Sequence, residues 1–442
     1  MKIAFIFPNM NDRKSFGAMQ PLVFSILAAL TPKDVEVVLY DERVEKIPLD
    51  INADLVAISV QTFTARRAYQ IASEFRKRNI PVVMGGYHPT FMPEEAGEHA
   101  DSVILGDGEL IWTTVVEDAK NKCLKKIYGK NNPASLEGLH YDRSIFNGKK
   151  YTPLYPVQYG RGCKFACDFC SINAFYGKNL RQRPVNEVVE EIRSLHRRNI
   201  LIVDDNVFVN VEKAKELFEA LIPLKIRWVC QTSIDVVNSD ELLQLMRKSG
   251  CMNLFIGFES LDPRNLEQMN KKANISNSRY SDIIRKIGHY GITVFGSFII
   301  GYDHDTKESF DTALEFALEN KFCLVNFNPL MPMPGTKLYQ RLKNEGRLLY
   351  DKWWLEPEFR YGNAMFIPKQ MTPQELEEGC RNIMKKFYRY SSILKRATDF
   401  SANSRGIENF FGYLLGNLIT RKEAYAKIGG LLGGSNDRGG TY

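Results

Sequence analysis

The sequence predicts an α/β protein: two parallel-sheet domains in series, followed by a mostly helical C-terminal region. Three observations predict it. Residues 1–125 alternate short apolar runs with amphipathic stretches, the pattern of a doubly wound open sheet. Residues 155–345 repeat a strand followed by a helix six times, which suggests a partial (β/α)6 barrel. At 442 residues the chain is also too long for one ordinary core.

The strands of the first domain read as Lys2–Phe7, Val35–Tyr40, Leu55–Val60, Val82–Met84 and Ser102–Leu105, with helices such as Pro21–Leu30 and Ala65–Arg78 between them. Ligands of such a sheet lie beyond the carboxyl ends of its strands. There the chain carries Gln61-Thr62-Phe63-Thr64, Gly85-Gly86-Tyr87-His88-Pro89-Thr90 and Gly106-Asp107-Gly108-Glu109. Residues 126–154 read as a connector, broken by Gly129, Asn131, Asn132, Pro133 and Gly138. Barrel strands follow at Val157–Gly160, Leu201–Asp204, Trp228–Gln231, Leu254–Phe258, Val294–Ile300 and Leu324–Phe327. Helical patterns fill the gaps, among them Val185–Arg198, Asp240–Lys248, Ser278–Tyr290 and Lys307–Asn320. Residues 346–430 form the helical region, and 431–442, with Gly433-Gly434 and Gly439-Gly440, are expected to be a flexible tail.

The chemistry is concentrated after the first barrel strand. The run Arg161-Gly162-Cys163-Lys164-Phe165-Ala166-Cys167-Asp168-Phe169-Cys170 sets three cysteines in C-x3-C-x2-C spacing. Three thiolates on one short loop can hold a cubane iron–sulfur cluster and leave its fourth iron without a protein ligand. Structural zinc is normally closed by four ligands, and no fourth Cys or His follows nearby. The other five cysteines (Cys123, Cys230, Cys251, Cys323 and Cys380) lack disulfide spacing, as expected in a reducing compartment. No early apolar run is long enough to span a bilayer, and Met1–Phe7 lacks the core and cleavage site of a signal peptide. A cytoplasmic protein without a transmembrane segment is expected.

With Phe169 just before its third cysteine, the motif resembles the radical S-adenosylmethionine (SAM) superfamily, and the resemblance covers residues 155–345. It implies that Cys163, Cys167 and Cys170 hold a [4Fe–4S] cluster whose open iron chelates SAM. The reduced cluster would cleave SAM to methionine and a 5'-deoxyadenosyl radical, which abstracts an unactivated hydrogen. Further positions match the family. Asp204 and Asp205, closing the second barrel strand, resemble acceptors for the methionine amino group. Glu259, closing the fourth, resembles the ribose-hydroxyl acceptor, while Phe169, Ile300 and Pro334 fall in segments that flank the adenine. An external electron donor such as flavodoxin or ferredoxin is implied.

The first 125 residues, in front of such a barrel, resemble the Rossmann-like cobalamin-binding domain of B12-dependent radical SAM enzymes. Ser59, Thr62, Gly85, Gly86 and His88 lie in the matching segments. The D-x-H-x-x-G signature that sets a histidine beneath cobalt is absent, and this class commonly binds cobalamin without one. Neither tRNA-modifying arrangement is expected: a methylthiotransferase needs three cysteines in this domain, where only Cys123 stands, and an acyltransferase-fused type would carry a further acyltransferase-sized segment. Two chemistries remain open within the class: methylation, as in class B methyltransferases, or rearrangement and cyclisation, as in the anaerobic Mg-protoporphyrin cyclase type. Cys323, Tyr339 and Tyr361 are candidate hydrogen donors. An iron–sulfur electron-transfer protein is the alternative from another class.

Residues 381–442 hold 11 Lys+Arg against 4 Asp+Glu, the whole of the formal +7 charge. Such a segment can touch an anionic substrate, a membrane surface or nucleic acid, or present a solvated face while packed on the barrel. The packed reading is favoured, and no nucleic-acid partner is expected. Trp353-Trp354 and Phe359-Arg360-Tyr361-Gly362 are expected to join it in an aromatic and cationic wall near the barrel mouth. That wall would suit a small lipid-like or polycyclic substrate with an anionic group.

Overall fold

A computed structural model describes residues 1–129, 133–275 and 280–434. Its first sheet comprises β1 (Lys2–Phe7), β2 (Glu36–Asp41), β3 (Leu55–Ser59), β4 (Val82–Gly85), β5 (Ser102–Ile104) and β6 (Ile127–Tyr128). They lie in the order β2-β1-β3-β4-β5-β6, all parallel. The order reverses between β1 and β3, the switch point at which such sheets bind ligands. Both faces are covered. Ile3 and Phe5 pack into one apolar layer and Ala4 and Ile6 into the other, so the strands read as unbroken apolar runs. The sixth strand falls in the stretch read as a connector. Two residues carry no periodicity to detect, yet they pair with β5, and Phe146 and Tyr151 of the same stretch pack on the sheet. Asn131 and Asn132 lie outside the described residues.

The second half supplies β7 (Tyr155–Val157), the short antiparallel pair β8 (Gly160–Arg161) and β9 (Arg181–Gln182), then β10 (Asn199–Ile202), β11 (Arg227–Thr232), β12 (Cys251–Glu259), β13 (Thr293–Ile300) and β14 (Leu324–Pro329). The large sheet runs β14-β13-β12-β11-β10-β7 with parallel pairing throughout, each strand beside its neighbour in sequence, as in an open barrel. The first barrel strand starts two residues earlier than the sequence suggests. It contains Pro156, which a sheet tolerates at its edge. The helix Tyr280–His289 matches the expected one, whose first residues Ser278 and Arg279 lie outside the described set.

The C-terminal region is helical at Pro373–Phe387, Tyr390–Arg396 and Ile407–Lys427. Its tryptophans correct the sequence reading. Trp353 and Trp354 do not form a wall at the barrel mouth; both are 0% exposed in the core of the first sheet, among Ile58, Ala68 and Phe359. Their indole N–H groups find buried acceptors, Trp353 at Pro332 O (3.0 Å) and Trp354 at Glu95 Oε1 (2.9 Å). The helix layer there is lined with Ala65, Ala68 and Ala72, small residues beside which two indoles supply the missing volume. Residues 431–434 are likewise docked rather than flexible. Leu432 is buried in the same core and the Gly433 N–H donates to Met10 O at 2.9 Å, while 435–442 lie outside the described residues.

This dock has a titratable centre. His88 Nε2 lies 3.1 Å from Glu95 Oε1, and Lys352 Nζ lies 3.1 Å from Glu95 Oε2. Burial works against a charged Glu95, but the bonds from His88, Trp354 and Lys352 outweigh it and hold the carboxyl down at about 2. A depressed carboxyl contributes stability that is present above its ordinary value of 4.5 and lost as pH falls toward 2. Glu95→Gln is expected to lower stability at neutral pH by about 2 kcal/mol. Thermal melts should show the gap to the parent shrinking steadily below about pH 4.5.

Candidate active site

The cysteine loop is fixed by the protein's own hydrogen bonds. Gly162 takes φ +92, and a Cβ there would stand 2.5 Å from Asn179 O, so only glycine fits. Its N–H donates to Asp205 Oδ2 at 2.8 Å. Asn270 Nδ2 donates to Ala166 O at 3.0 Å, and the Tyr302 hydroxyl donates to Asp168 Oδ1 at 2.6 Å. Cys170 then opens the helix Ser171–Tyr176. Segments following β10, β12 and β13 thus each hold one point of the loop.

Cys163, Cys167 and Cys170 are free and partly exposed. Burial pushes the Cys167 thiol up to about 12 and raises Cys170 as well, so a bound metal must displace their protons. Among the described residues no three Cys, His, Asp or Glu side chains converge on one ion. A cubane cluster asks no such convergence, since its thiolates bind separate iron corners.

Asp204 and Asp205 serve the loop's backbone. Asp204 Oδ1 accepts from the Tyr159 N–H at 2.8 Å in a fully buried setting. Burial outweighs the amide bonds from Gly160 and Tyr159 and pushes its carboxyl up to about 7. Glu259 is different. It closes β12 with φ +64, a conformation side chains rarely adopt, where the β12–β13 register shifts. Its carboxylate pairs with Lys271 Nζ, and a Cβ on Gly257 would stand 2.0 Å from Glu259 Oε1. Burial opposes a charged Lys271, but Glu259 and the nearby Cys167 raise its pKa. Lys271 carries no sequence signal, being the first of two adjacent lysines in a short loop.

The carboxyl ends of both sheets face one cavity of about 430 Å³. Gln61, Thr62 and Tyr87 line it from the first sheet; Phe169, Cys170 and Glu259 line it from the second. Ser297 and Ile299 of β13 add to the lining, whereas Ile300, next in the alternation, borders an outer groove and offers its carbonyl to the Leu330 N–H at 2.8 Å. Pro334 is buried beside Gly335, where a Cβ would stand 2.5 Å from the Phe91 ring. Ser59 and Gly85 end their strands side by side, and Gly86 turns the chain with φ +110. His88 does not reach the cavity. Its ring is 0% exposed and is held by Glu95 and the Tyr69 hydroxyl.

Asp107 and Glu109, past the end of β5, meet arginines. Arg161 Nη1 donates to Asp107 Oδ1 at 3.0 Å and Nη2 donates to Glu109; Arg181 takes the other Asp107 oxygen. Of the candidate hydrogen donors, Cys323 is buried with Ile393 and Tyr413, the Tyr339 hydroxyl donates to Asp351 O, and Tyr361 stacks edge-on 5.5 Å from Phe63. None of the three lines the cavity.

The chain matches the family model for the radical SAM superfamily over residues 157–317 and that for the B12 binding domain over residues 14–116. A model for a domain of unknown function (DUF4070) matches residues 336–410. The bacteriochlorophyllide d C-12(1)-methyltransferase of Chlorobaculum tepidum is 31% identical over 421 residues, spanning 92% of this chain and 90% of that one. The hopanoid C-2 methylase of Rhodopseudomonas palustris is 27% identical over 421 residues, spanning 88% and 75%. The fold also matches the radical SAM methyltransferase TsrM from Kitasatospora setae, solved with cobalamin and a [4Fe–4S] cluster, at a TM-score of 0.63 and 16% identity over 86% of this chain and 81% of that one. The chain belongs to the radical SAM superfamily, in the class that carries a B12-binding domain, a family of enzymes working with a [4Fe–4S] cluster, SAM and cobalamin.

Proposed function

We propose that this enzyme transfers a methyl group to an unactivated carbon of an apolar polycyclic substrate held between its two sheets. The cavity lined from both sheets, with Gln61, Thr62 and Tyr87 opposite Cys170 and Glu259, carries the reading. When bound, the cluster with SAM supplies a radical that takes hydrogen from such a carbon, and cobalamin supplies the methyl group. The chain's own part is to hold and orient. Cys163, Cys167 and Cys170 would ligate three irons and leave the fourth open. Glu259 accepts the ribose hydroxyls, a task suited to a carboxylate, and its pair with Lys271 fixes its direction. Phe169, which lines the cavity, would flank the adenine, whereas Ile300 and Pro334 would act only through the backbone around it. Asp205 serves the methionine amino group, while Asp204 positions the turn before Cys163.

Ser59, Thr62, Gly85 and Gly86 would support the corrin, and His88, withdrawn into the core, would not touch it. The substrate class is supported by relatives named for a bacteriochlorophyllide and for a hopanoid. Eight free cysteines suit the reducing cytoplasm, where a flavodoxin or ferredoxin supplies the electron.

Anaerobic reconstitution with iron, sulfide, hydroxocobalamin and methyl-deuterated SAM tests the proposal. With a reductant, 5'-deoxyadenosine should form, and label should appear in an added chlorophyllide-type or hopanoid-type acceptor. Failure to form 5'-deoxyadenosine under any condition sinks the reading, and a changed acceptor without label replaces methylation by rearrangement or oxidation. Cys163→Ala should abolish cluster absorbance and SAM cleavage together. Glu259→Gln should lower SAM cleavage by roughly ten- to a hundredfold, the loss of one charge-assisted bonding group, with cluster absorbance kept.

A further inference from the structure

The helix Ile407–Lys427 is turned inside out. Its buried positions are Tyr413 and Asn417, and Asn417 Nδ2 donates to Cys323 O at 3.1 Å and Tyr413 O at 2.9 Å. Most of its outward positions are apolar: Ile407 is 74% exposed, Phe411 60%, Leu415 59% and Leu418 40%. Successive gaps of four, four and three residues set these on one stripe about three turns long. Leu394 and Phe400, 65% and 75% exposed, lie in the preceding segment, which is joined to the helix where the Tyr413 hydroxyl donates to Ile393 O at 2.6 Å. A contiguous exposed apolar face of this kind marks an interaction site.

Charge says what covers it. Residues 381–442 carry the chain's entire formal excess of +7, and Lys385, Arg389, Lys395, Arg405 and Lys422 are exposed. Of the nearby acids, Glu408 pairs with Arg227, and Glu423 is turned inward to Gly17 N–H and the Ser15 hydroxyl. We propose that this face docks on an anionic lipid bilayer, with the helix lying in the plane of the headgroups. Among the described residues no helix is long and apolar enough to cross a membrane, so the contact is peripheral. A second copy fits less well, because a two-fold contact would set the segment's positive charge against itself. Nor do residues 435–442 suit the stripe, since Ser-Asn-Asp-Arg-Gly-Gly-Thr-Tyr contains no aliphatic side chain.

Cosedimentation of the full-length protein with phosphatidylcholine vesicles, with and without phosphatidylglycerol, tests the proposal. Binding to the anionic vesicles, weakened by added salt, is expected. Phe411→Ser with Leu415→Ser should weaken it roughly tenfold or more, and Lys395→Glu with Lys422→Glu by a similar factor. All four positions are exposed, so an unchanged thermal midpoint will verify folding. Absence of vesicle binding overturns the proposal, as does binding indifferent to both pairs of substitutions. A dimer in sedimentation velocity that Phe411→Ser abolishes, or nucleic-acid binding through the same lysines without vesicle binding, overturns it in favour of that partner.

Discussion

Two carboxylates past the end of β5 and two arginines flanking the cysteine loop are buried together, and the relation between the halves of the molecule depends on them. Asp107 and Arg161 are buried and Glu109 and Arg181 nearly so, and such groups are tolerable there only when each is paired. Asp107 binds Arg161 with one oxygen and Arg181 with the other, and Glu109 takes the second arm of Arg161. Removing one partner would strand a buried charge at a cost of about 3–5 kcal/mol. Asp107 also accepts from the Ala134 N–H at 2.9 Å, so a single carboxylate ties the first sheet, the connecting segment and the β8–β9 pair. Charge sets direction here, and aromatic surface supplies area. Tyr87 enters from the first sheet, with ring centroids 4.5 Å from Phe175 and 6.4 Å from Tyr176, on the helix that Cys170 opens. The cavity lies between strand ends because this seam holds them face to face.

Opposite shifts at two buried acids show how such tasks are divided. Asp204 meets backbone amides and a second carboxylate, and burial drives it up to about 7; Glu95 meets an imidazole, an indole N–H and an ammonium, and is held at about 2. Burial raises both, and the difference lies in depth and in partners together. A carboxyl in the first setting is a hydrogen-bonding clamp for the turn leading to Cys163. One in the second is a permanent anion, around which His88, Trp354 and Lys352 bind the C-terminal region to the first sheet.

Much of the fold was legible because its causes are local. Strands buried on both faces leave apolar runs, and cysteines that share one cluster must share one loop, so β3, β4 and the triplet at Cys163, Cys167 and Cys170 could be read directly. What stayed hidden depends on which surface meets which. Trp353-Trp354 reads the same whether it walls a substrate or fills a core. Asp204-Asp205-Asn206 reads the same whether it faces a ligand or the chain's own amides. Lys271 becomes visible only once β12 has bent at Glu259. His88 belongs to a loop with a ligand-binding pattern, yet the buried Glu95 and Tyr69 that take its ring lie seven residues after it and on another helix.

The cavity's lining limits how any molecule bound in it can be recognised. Among the described residues Glu259 is its only charged lining residue, and it pairs with Lys271. The remaining surface is largely Phe63, Tyr87, Phe91, Phe169, Ile299 and the unbranched Met331 and Met333. Aromatic rings give a rigid apolar floor, while methionine adapts to irregular outlines. Recognition must then come from shape and buried area, with a few polar groups fixing orientation. Such a pocket discriminates weakly between apolar skeletons of equal size, and changes at the adaptable positions can retune it without touching the cysteine loop. The cysteine loop is fixed by the segments past the strand ends, and the adaptable residues of the cavity belong to other loops.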